Sequence, residues 1–355
     1  MYIVIAILAF GILITVHELG HFSVSKWMKV KINEFSIGMG PAIFKKQRGE
    51  TLFALRALPL GGACVIEGED GDSGDSRSFT SKKLWQRLLI LVAGSAMNFL
   101  IGLFIVTVIY LILTLNGNYV STNTLSGFME GFPLEGENGL MAGDQLISID
   151  GHRTNTTSDF LLFMYLSNDK DVDLVIKRDG EKITLEDFPL VLREYTDDSG
   201  QKVSKYGLYF KSEQLNIITA FQQSWYRCSY YVRSVWVSLG ALFSGQAGIK
   251  DMSGPVGVVN MMNEVGKQAS GFGEGLLNVL FLVSFISINL AVLNLLPIPA
   301  LDGGRIFFMY VFALIEKITK RNPNPKVEGY IHAAGFILLL GLMAYVMFND
   351  IVKLI

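Results

Sequence analysis

Charge is scarce in this sequence. Asp, Glu, Lys and Arg make up 17% of the 355 residues, against about 25% in ordinary soluble domains. The 30 basic and 32 acidic residues leave a net charge of −2, so nothing in the composition calls for a nucleic-acid partner. Cysteine is nearly absent. Cys64 and Cys228 stand far apart and match neither a disulfide framework nor a metal-binding spacing, and both are read as inert free thiols. Histidine is sparse too, with four residues. What fills the chain is apolar: 50% of it is hydrophobic and the mean hydropathy is +0.40. That balance points to a membrane protein.

About 20 apolar residues carry a helix across a bilayer. Met1 to Val16 has no basic residue ahead of its apolar run and no small-residue cleavage site, and it flows directly into His17-Glu18-Leu19-Gly20-His21. It is read as a retained first transmembrane helix and not as a signal peptide. Leu88 to Leu115, Leu276 to Leu296 and Ile331 to Phe348 are three further spans. Ile306 to Ile315 is too short to cross alone and is assigned to the interface or to the side of the bundle.

Between Ser121 and Tyr209 the character becomes that of a soluble domain. Gly139 to Gly151 combines a turn, an alternating strand and a second turn. Ser158 to Leu166 reads as a helix, Val172 to Ile176 as a strand, Asp179-Gly180 as a hairpin turn and Lys182 to Leu185 as its return. This series resembles a PDZ domain. Ile217 to Phe243 mixes Trp225, Tyr226, Tyr230, Tyr231 and Trp236 with Arg227 and Arg233, the composition of an amphipathic helix on a membrane surface. Thr51 to Leu58 alternates loosely and ends at Pro59 and Gly61-Gly62, as an edge strand or re-entrant hairpin does.

The expected fold is therefore a polytopic α-helical membrane protein with about four transmembrane helices. It carries a β-hairpin or re-entrant region on the cytoplasmic side and an inserted extracytoplasmic α+β PDZ domain. The expected segments are a membrane core over 1–115, the PDZ domain over 116–212, a membrane-surface linker over 213–275 and a second core over 276–355. Orientation follows from short loops. Lys26 to Arg87 carries eleven Lys or Arg residues and Arg305 to Lys326 carries five, so both are expected to face the cytoplasm.

The chemistry concentrates at His17-Glu18-Leu19-Gly20-His21, an H-E-x-x-H pattern on a helix. Residues i and i+4 share a face, so both imidazoles can bind one metal, and two neutral nitrogens suit Zn²⁺. Glu18 stands beside them and can accept a proton from a bound water. A third ligand must come from elsewhere. His152, in the PDZ-like segment, and His332, opening the last span, read as surface or packing histidines. Asp302, in Asn294-Leu295-Leu296-Pro297-Ile298-Pro299-Ala300-Leu301-Asp302-Gly303-Gly304, lies just past the third span and at a matching depth.

These features together resemble the site-2 protease family, and within it the bacterial branch of regulated intramembrane proteolysis. The resemblance covers nearly the whole chain. It includes Phe35-Ser36-Ile37-Gly38-Met39-Gly40-Pro41, Leu58-Pro59-Leu60-Gly61-Gly62, Ser253-Gly254-Pro255-Val256-Gly257 and Phe348-Asn349-Asp350. It implies that His17, His21 and Asp302 bind Zn²⁺, that Glu18 is the catalytic base and that Asn294 helps to hold the substrate backbone. It further implies single-pass membrane substrates such as anti-sigma factors or remnant signal peptides, a bacterial inner-membrane location and a peptide C-terminus as a partner of the PDZ domain. Two departures stand out. Ser95 replaces the proline that often follows Gly94, and the chain has room for one PDZ domain only. Other classes compatible with the helices are a membrane-anchored PDZ scaffold with a vestigial metal site and a metal transporter. The scaffold gives Glu18 no reason to stand between two histidines, and the transporter expects an internal repeat that is not seen.

Overall fold

The computed structural model describes residues 1–354 except Asp70, Asp72, Ser73, Asn168, Asp169, 197–200 and 321–324, so part of the second basic loop lies outside the described residues. Its helices are α1 (Tyr2–Trp27), α2 (Leu84–Leu115), α3 (Thr157–Ser167), α4 (Ile217–Phe243), α5 (Pro255–Lys267), α6 (Phe272–Asn294), α7 (Asp302–Thr319) and α8 (Pro325–Leu354). Its strands are β1 (Ile32–Arg48), β2 (Thr51–Ile66), β3 (Tyr119–Phe128), β4 (Gln145–Ile149), β5 (His152–Arg153), β6 (Val172–Arg178), β7 (Glu181–Phe188), β8 (Arg193–Thr196), β9 (Lys202–Lys205) and β10 (Leu208–Gln214). Among the described residues, four helices are long and apolar enough to cross a membrane: α1, α2, α6 and the Gly329–Lys353 part of α8. They correspond to the four expected spans, each longer at one or both ends. Two compact units emerge, one of Met1–Val106 with Ser238–Ile355 and one of Thr107–Val237.

In the first unit the membrane helices pack through glycine. A Cβ on Gly20 of α1 would stand 2.3 Å from the Ala93 carbonyl oxygen of α2, and one on Gly102 of α2 would stand 2.7 Å from Ile288 of α6. Small residues let helix backbones approach closely where lipid offers no hydrophobic drive for association. Tyr2, Ala6, Leu13, Met262, Val279 and Val283 form the cluster that joins α1, α5 and α6. The last of these helices stops where Pro297 and Pro299 forbid its continuation. Helix α7 then begins at Asp302, with an acidic residue in its first turn as the helix dipole favours. At 18 residues it runs well past the expected Ile306–Ile315 segment.

The expected strand Thr51 to Leu58 is present but longer, and its middle is not an edge. Pro59 and Gly61-Gly62 do not end β2, which continues to Ile66. Its two halves flank the start of β1, so that Phe35 lies opposite both Phe53 and Cys64. Ala54 faces Ser36 on one side and Lys45 on the other. Leu52 to Leu55 is thus paired along both edges, while Arg56 and Leu58 pair with Ala42 and Met39 respectively. The stretch from Gly62 to Ile66 pairs with β1 alone among the described residues.

The second unit holds a sheet of order β10-β3-β4-β6-β7, with β5 paired to β4, and a separate β8-β9 hairpin. The expected strand, helix and hairpin series is all there. Asp179 and Gly180 both take positive φ, the requirement of a tight two-residue hairpin turn. Leu146, Ile149, Phe160, Met164, Leu174 and Ile176 are fully buried beneath the sheet. The Gly139 to Gly151 segment is organised by one ion pair. Buried Asp144 takes two bonds from Arg178, at 2.8 and 2.7 Å, and that guanidinium also donates to the carbonyls of Glu137 and Gly139. A second pair ties α3 to α4. Asp159, fully buried, accepts the amides of Asn155 and Thr156 and pairs with Arg233 at 2.8 Å.

Both cysteines are free. Burial pushes the Cys228 thiol up to about 12 and raises Cys64 as well, so neither presents a thiolate at neutral pH. Two sequence segments without an obvious purpose also meet here. Asp350, near the end of α8, accepts the Gly257 N–H at 2.8 Å and the Gly254 N–H at 3.2 Å. A Cβ at Gly257 would stand 2.8 Å from that carboxylate. The acid therefore caps the N-terminus of α5 from a distant helix, and only glycine lets it come so near. Replacing Asp350 with Ala is expected to cost about 1–2 kcal/mol, read as a lower midpoint of thermal unfolding in detergent.

Candidate metal centre

The centre starts from helical spacing. His17 and His21 lie one turn apart on α1, their rings edge to face with centroids 4.8 Å apart. Their Nε2 atoms are 3.2 Å apart. Asp302, some 280 residues later in the chain, brings Oδ2 to 3.2 Å from His17 Nε2 and 3.3 Å from His21 Nε2. Three donor atoms thus form a nearly equilateral triangle. A tetrahedral Zn²⁺ with bonds of about 2.0 Å has ligand-to-ligand edges of about 3.3 Å, so the triangle has the size of one face of that tetrahedron. Asp302 Oδ2 is buried and has no hydrogen-bond partner among the described residues. A buried carboxylate oxygen is rarely left so, and a cation would satisfy it.

Helix α2 orients both rings. Ile90, Gly94 and Asn98 follow at four-residue intervals and form one stripe. His21 Nδ1 donates to the Ile90 carbonyl at 2.8 Å, which leaves Nε2 bare and turned inward. Asn98 sets its side-chain amide 3.5 Å from His17 Nδ1, and its Oδ1 is buried without a partner among the described residues. Turned to present that oxygen, the amide accepts the Nδ1 proton and leaves the His17 Nε2 bare as well. Ser287 of α6 in turn donates to the Asn98 carbonyl at 2.6 Å. Between these contacts sits Gly94, where a Cβ would stand 2.4 Å from His21 Nε2 and 2.6 Å from His17 Cε1.

Asp302 is fixed by the glycines after it. A Cβ on Gly303 would meet the carbonyl oxygens of Leu295 and Leu296 at 2.3 Å, and one on Gly304 would meet that of Ile298 at 2.2 Å. The first turn of α7 thereby lies flat on the loop that leaves α6. Glu18 is half-buried and faces β2, since a Cβ on Gly62 would stand 3.1 Å from its Cγ.

The other expected residues are placed as follows. Asn294 is the last residue of α6, half-buried and eight residues before Asp302. His152 is exposed and stacks on Phe163 at 4.8 Å. His332 accepts the Ala300 N–H at 3.0 Å, so neither of these histidines joins the triangle. Within α6, Ser284 and Ser287 are buried and bonded to backbone carbonyls, which is helix packing. The sequence assigns no role at this centre to Gly94, Asn98 or the Ile90 carbonyl. Their signal is a small and a polar residue one turn apart inside an apolar helix.

A model of peptidase family M50 matches residues 5–342. A relative in Clostridium perfringens (strain 13 / Type A) is 35% identical over 354 residues, covering 99% of both chains. The zinc metalloprotease RasP of Bacillus licheniformis is 28% identical, covering 98% of both chains. The regulator of sigma-W protease RasP of Bacillus subtilis (strain 168) is 27% identical, covering 98% of this chain and 97% of its own.

The close fit at Gly94 generates a test. Gly94→Ala forces the imidazoles apart by roughly an ångström, a displacement that costs about 100-fold in rate when it touches reacting groups. Zinc content of the purified variant, measured by elemental analysis, is expected to fall with it.

Proposed function

We propose that this chain, which belongs to peptidase family M50, cuts the transmembrane segments of single-pass membrane proteins. It is an integral membrane protein and a zinc metalloprotease. The observation that carries the proposal is the triangle of His17, His21 and Asp302 donors between helices of membrane-spanning length. In this reading those three residues hold the zinc, Glu18 is the catalytic base and Asn294 holds the substrate backbone. A bound zinc supplies Lewis acidity towards the attacking water and the scissile carbonyl. Glu18 accepts the proton of the attacking water and returns it to the leaving amine. Gly62 keeps the space beside Glu18 open, since any side chain there would press on its Cγ.

A helix in hydrocarbon hides its peptide groups in its own hydrogen bonds, so it must unwind before hydrolysis, and the enzyme must replace the bonds lost. The free edge of β2 from Gly62 to Ile66 suits that task better than Thr51 to Leu58, of which Leu52 to Leu55 have both edges taken. A substrate strand added there would run past Glu18.

The region 116–212 is read as a single PDZ domain that screens substrates and offers a site for a peptide C-terminus. It is read as extracytoplasmic, with the catalytic residues near the cytoplasmic side of a bacterial inner membrane. Segments 1–115 and 276–355 then form the membrane core, and 213–275 lies on the membrane surface. A regulator of sigma-W among the relatives favours anti-sigma factors already trimmed by a first protease as substrates. Remnant signal peptides are a second substrate class.

Two measurements test the reading. With a purified single-span substrate, Glu18→Gln is expected to slow cleavage by about 10²–10⁴-fold while zinc content stays unchanged. Unaltered cleavage would remove Glu18 as the base, and a wild type that cuts nothing would leave a scaffold or transporter in its place. Alternate residues of a strand point their N–H to opposite edges, so proline at one of Ala63 and Cys64 removes a donor from the free edge. One of these two variants is expected to lose cleavage with zinc retained; full activity in both would remove β2 from substrate binding.

A further inference from the structure

Ala300 holds a backbone conformation that alanine rarely adopts. Its φ is +77°, in the left-handed region where a Cβ crowds the next carbonyl oxygen. An L-residue persists there only when its surroundings hold it, and Ala300 lies two residues ahead of Asp302. The last helix supplies two restraints. His332 Nδ1 accepts the Ala300 N–H at 3.0 Å. One turn on, Gly335 lies so near the loop that a Cβ there would meet Pro299 Cβ at 2.4 Å and its carbonyl oxygen at 2.8 Å. Three residues apart, His332 and Gly335 share one face of α8. Phe308 of α7 braces the imidazole edge-on, with ring centroids 5.7 Å apart. The turn is therefore held from α8 on one side, while Gly303 and Gly304 press α7 against the carbonyls of Leu295 and Ile298 on the other.

We propose that His332 is a positioning residue for the metal centre: by accepting the Ala300 N–H it holds the left-handed turn that aims Asp302 at His17 and His21. The inference rests on the zinc reading of those three residues. Without the acceptor, Ala300 relaxes to the negative φ that an L-residue prefers, and the carboxylate two residues on turns away with the chain. Asparagine at 332 keeps the device, because its Oδ1 stands where the imidazole Nδ1 stood. Glutamine does not, because its amide reaches the Nε2 position instead. Glycine at 300 occupies positive φ as readily as negative, so it lessens the need for the bond.

The test uses the full chain in detergent and compares the wild type with His332→Ala, His332→Asn, His332→Gln and the double variant His332→Ala with Ala300→Gly. Zinc affinity is read by competition with a coloured chelator. Hydrogen–deuterium exchange over residues 296–303 is read separately on chelator-treated, zinc-free protein. His332→Ala is expected to bind zinc about 10–100-fold more weakly, as loss of an outer-shell partner does, and to exchange faster over 296–303 even without zinc. Asparagine should stay close to wild type in both readings, and the double variant should recover part of the lost affinity. Should the alanine variant fail to fold, the glutamine variant carries the same expectation of loss. Unchanged affinity and exchange in both the alanine and glutamine variants overturn the proposal, as does an asparagine variant as impaired as they are. A wild type that takes up no zinc overturns the zinc reading instead, and the zinc-free exchange still decides whether His332 holds the turn.

Discussion

Hydrocarbon offers no partner to a polar group, so two imidazoles and a carboxylate set among membrane helices must find every partner within the protein. Much of the first unit answers to that constraint. Each Nδ1 is turned outward to α2, the Nε2 atoms and Asp302 Oδ2 converge inward, and Ser287 anchors the Asn98 backbone from α6. Four helices thereby share one polar network. The glycines follow from it. Gly20, Gly94 and Gly303 each occupy a place where a methyl group would collide with backbone or with the rings themselves, so close approach of helices and convergence of ligands are one arrangement.

The outline of this arrangement was legible in the sequence because it rests on local periodicity. Spacing of four residues puts His17 and His21 on one face, unbroken apolar runs mark four spans, and Asp179-Gly180 marks a hairpin. Asp302 was legible too, through its depth beyond the third span, and the triangle of donors brings it to the two rings. What escaped is pairing between remote segments. Nothing local in Thr51 to Leu58 tells that the two halves of β1 will cover both edges of Leu52 to Leu55, and nothing in Gly62 tells that it lies against Glu18. Helix ends escaped for a related reason. Once the helix carries His17 to His21 in its interior, packing on α2 sustains it to Trp27, well beyond the last residue of the apolar run.

Motifs without chemistry turn out to be joints. Gly254 and Gly257 belong to Asp350, ninety-odd residues away, and Gly139 belongs with Asp144 and Arg178. For Gly254 and Gly257 the small size makes sense only beside a charge contributed by another element. A reading of one segment at a time finds the glycine and misses the charge.

The buried pair of Asp159 and Arg233 has a mechanical consequence. Asp159 opens α3 and also gathers the amides of Asn155 and Thr156, while Arg233 projects from an aromatic-rich helix suited to a membrane surface. Separating them would strand a carboxylate in an apolar interior, a penalty of several kcal/mol. Helix α4 is thus welded to α3: a push on one is delivered straight to the other, without first deforming the sheet.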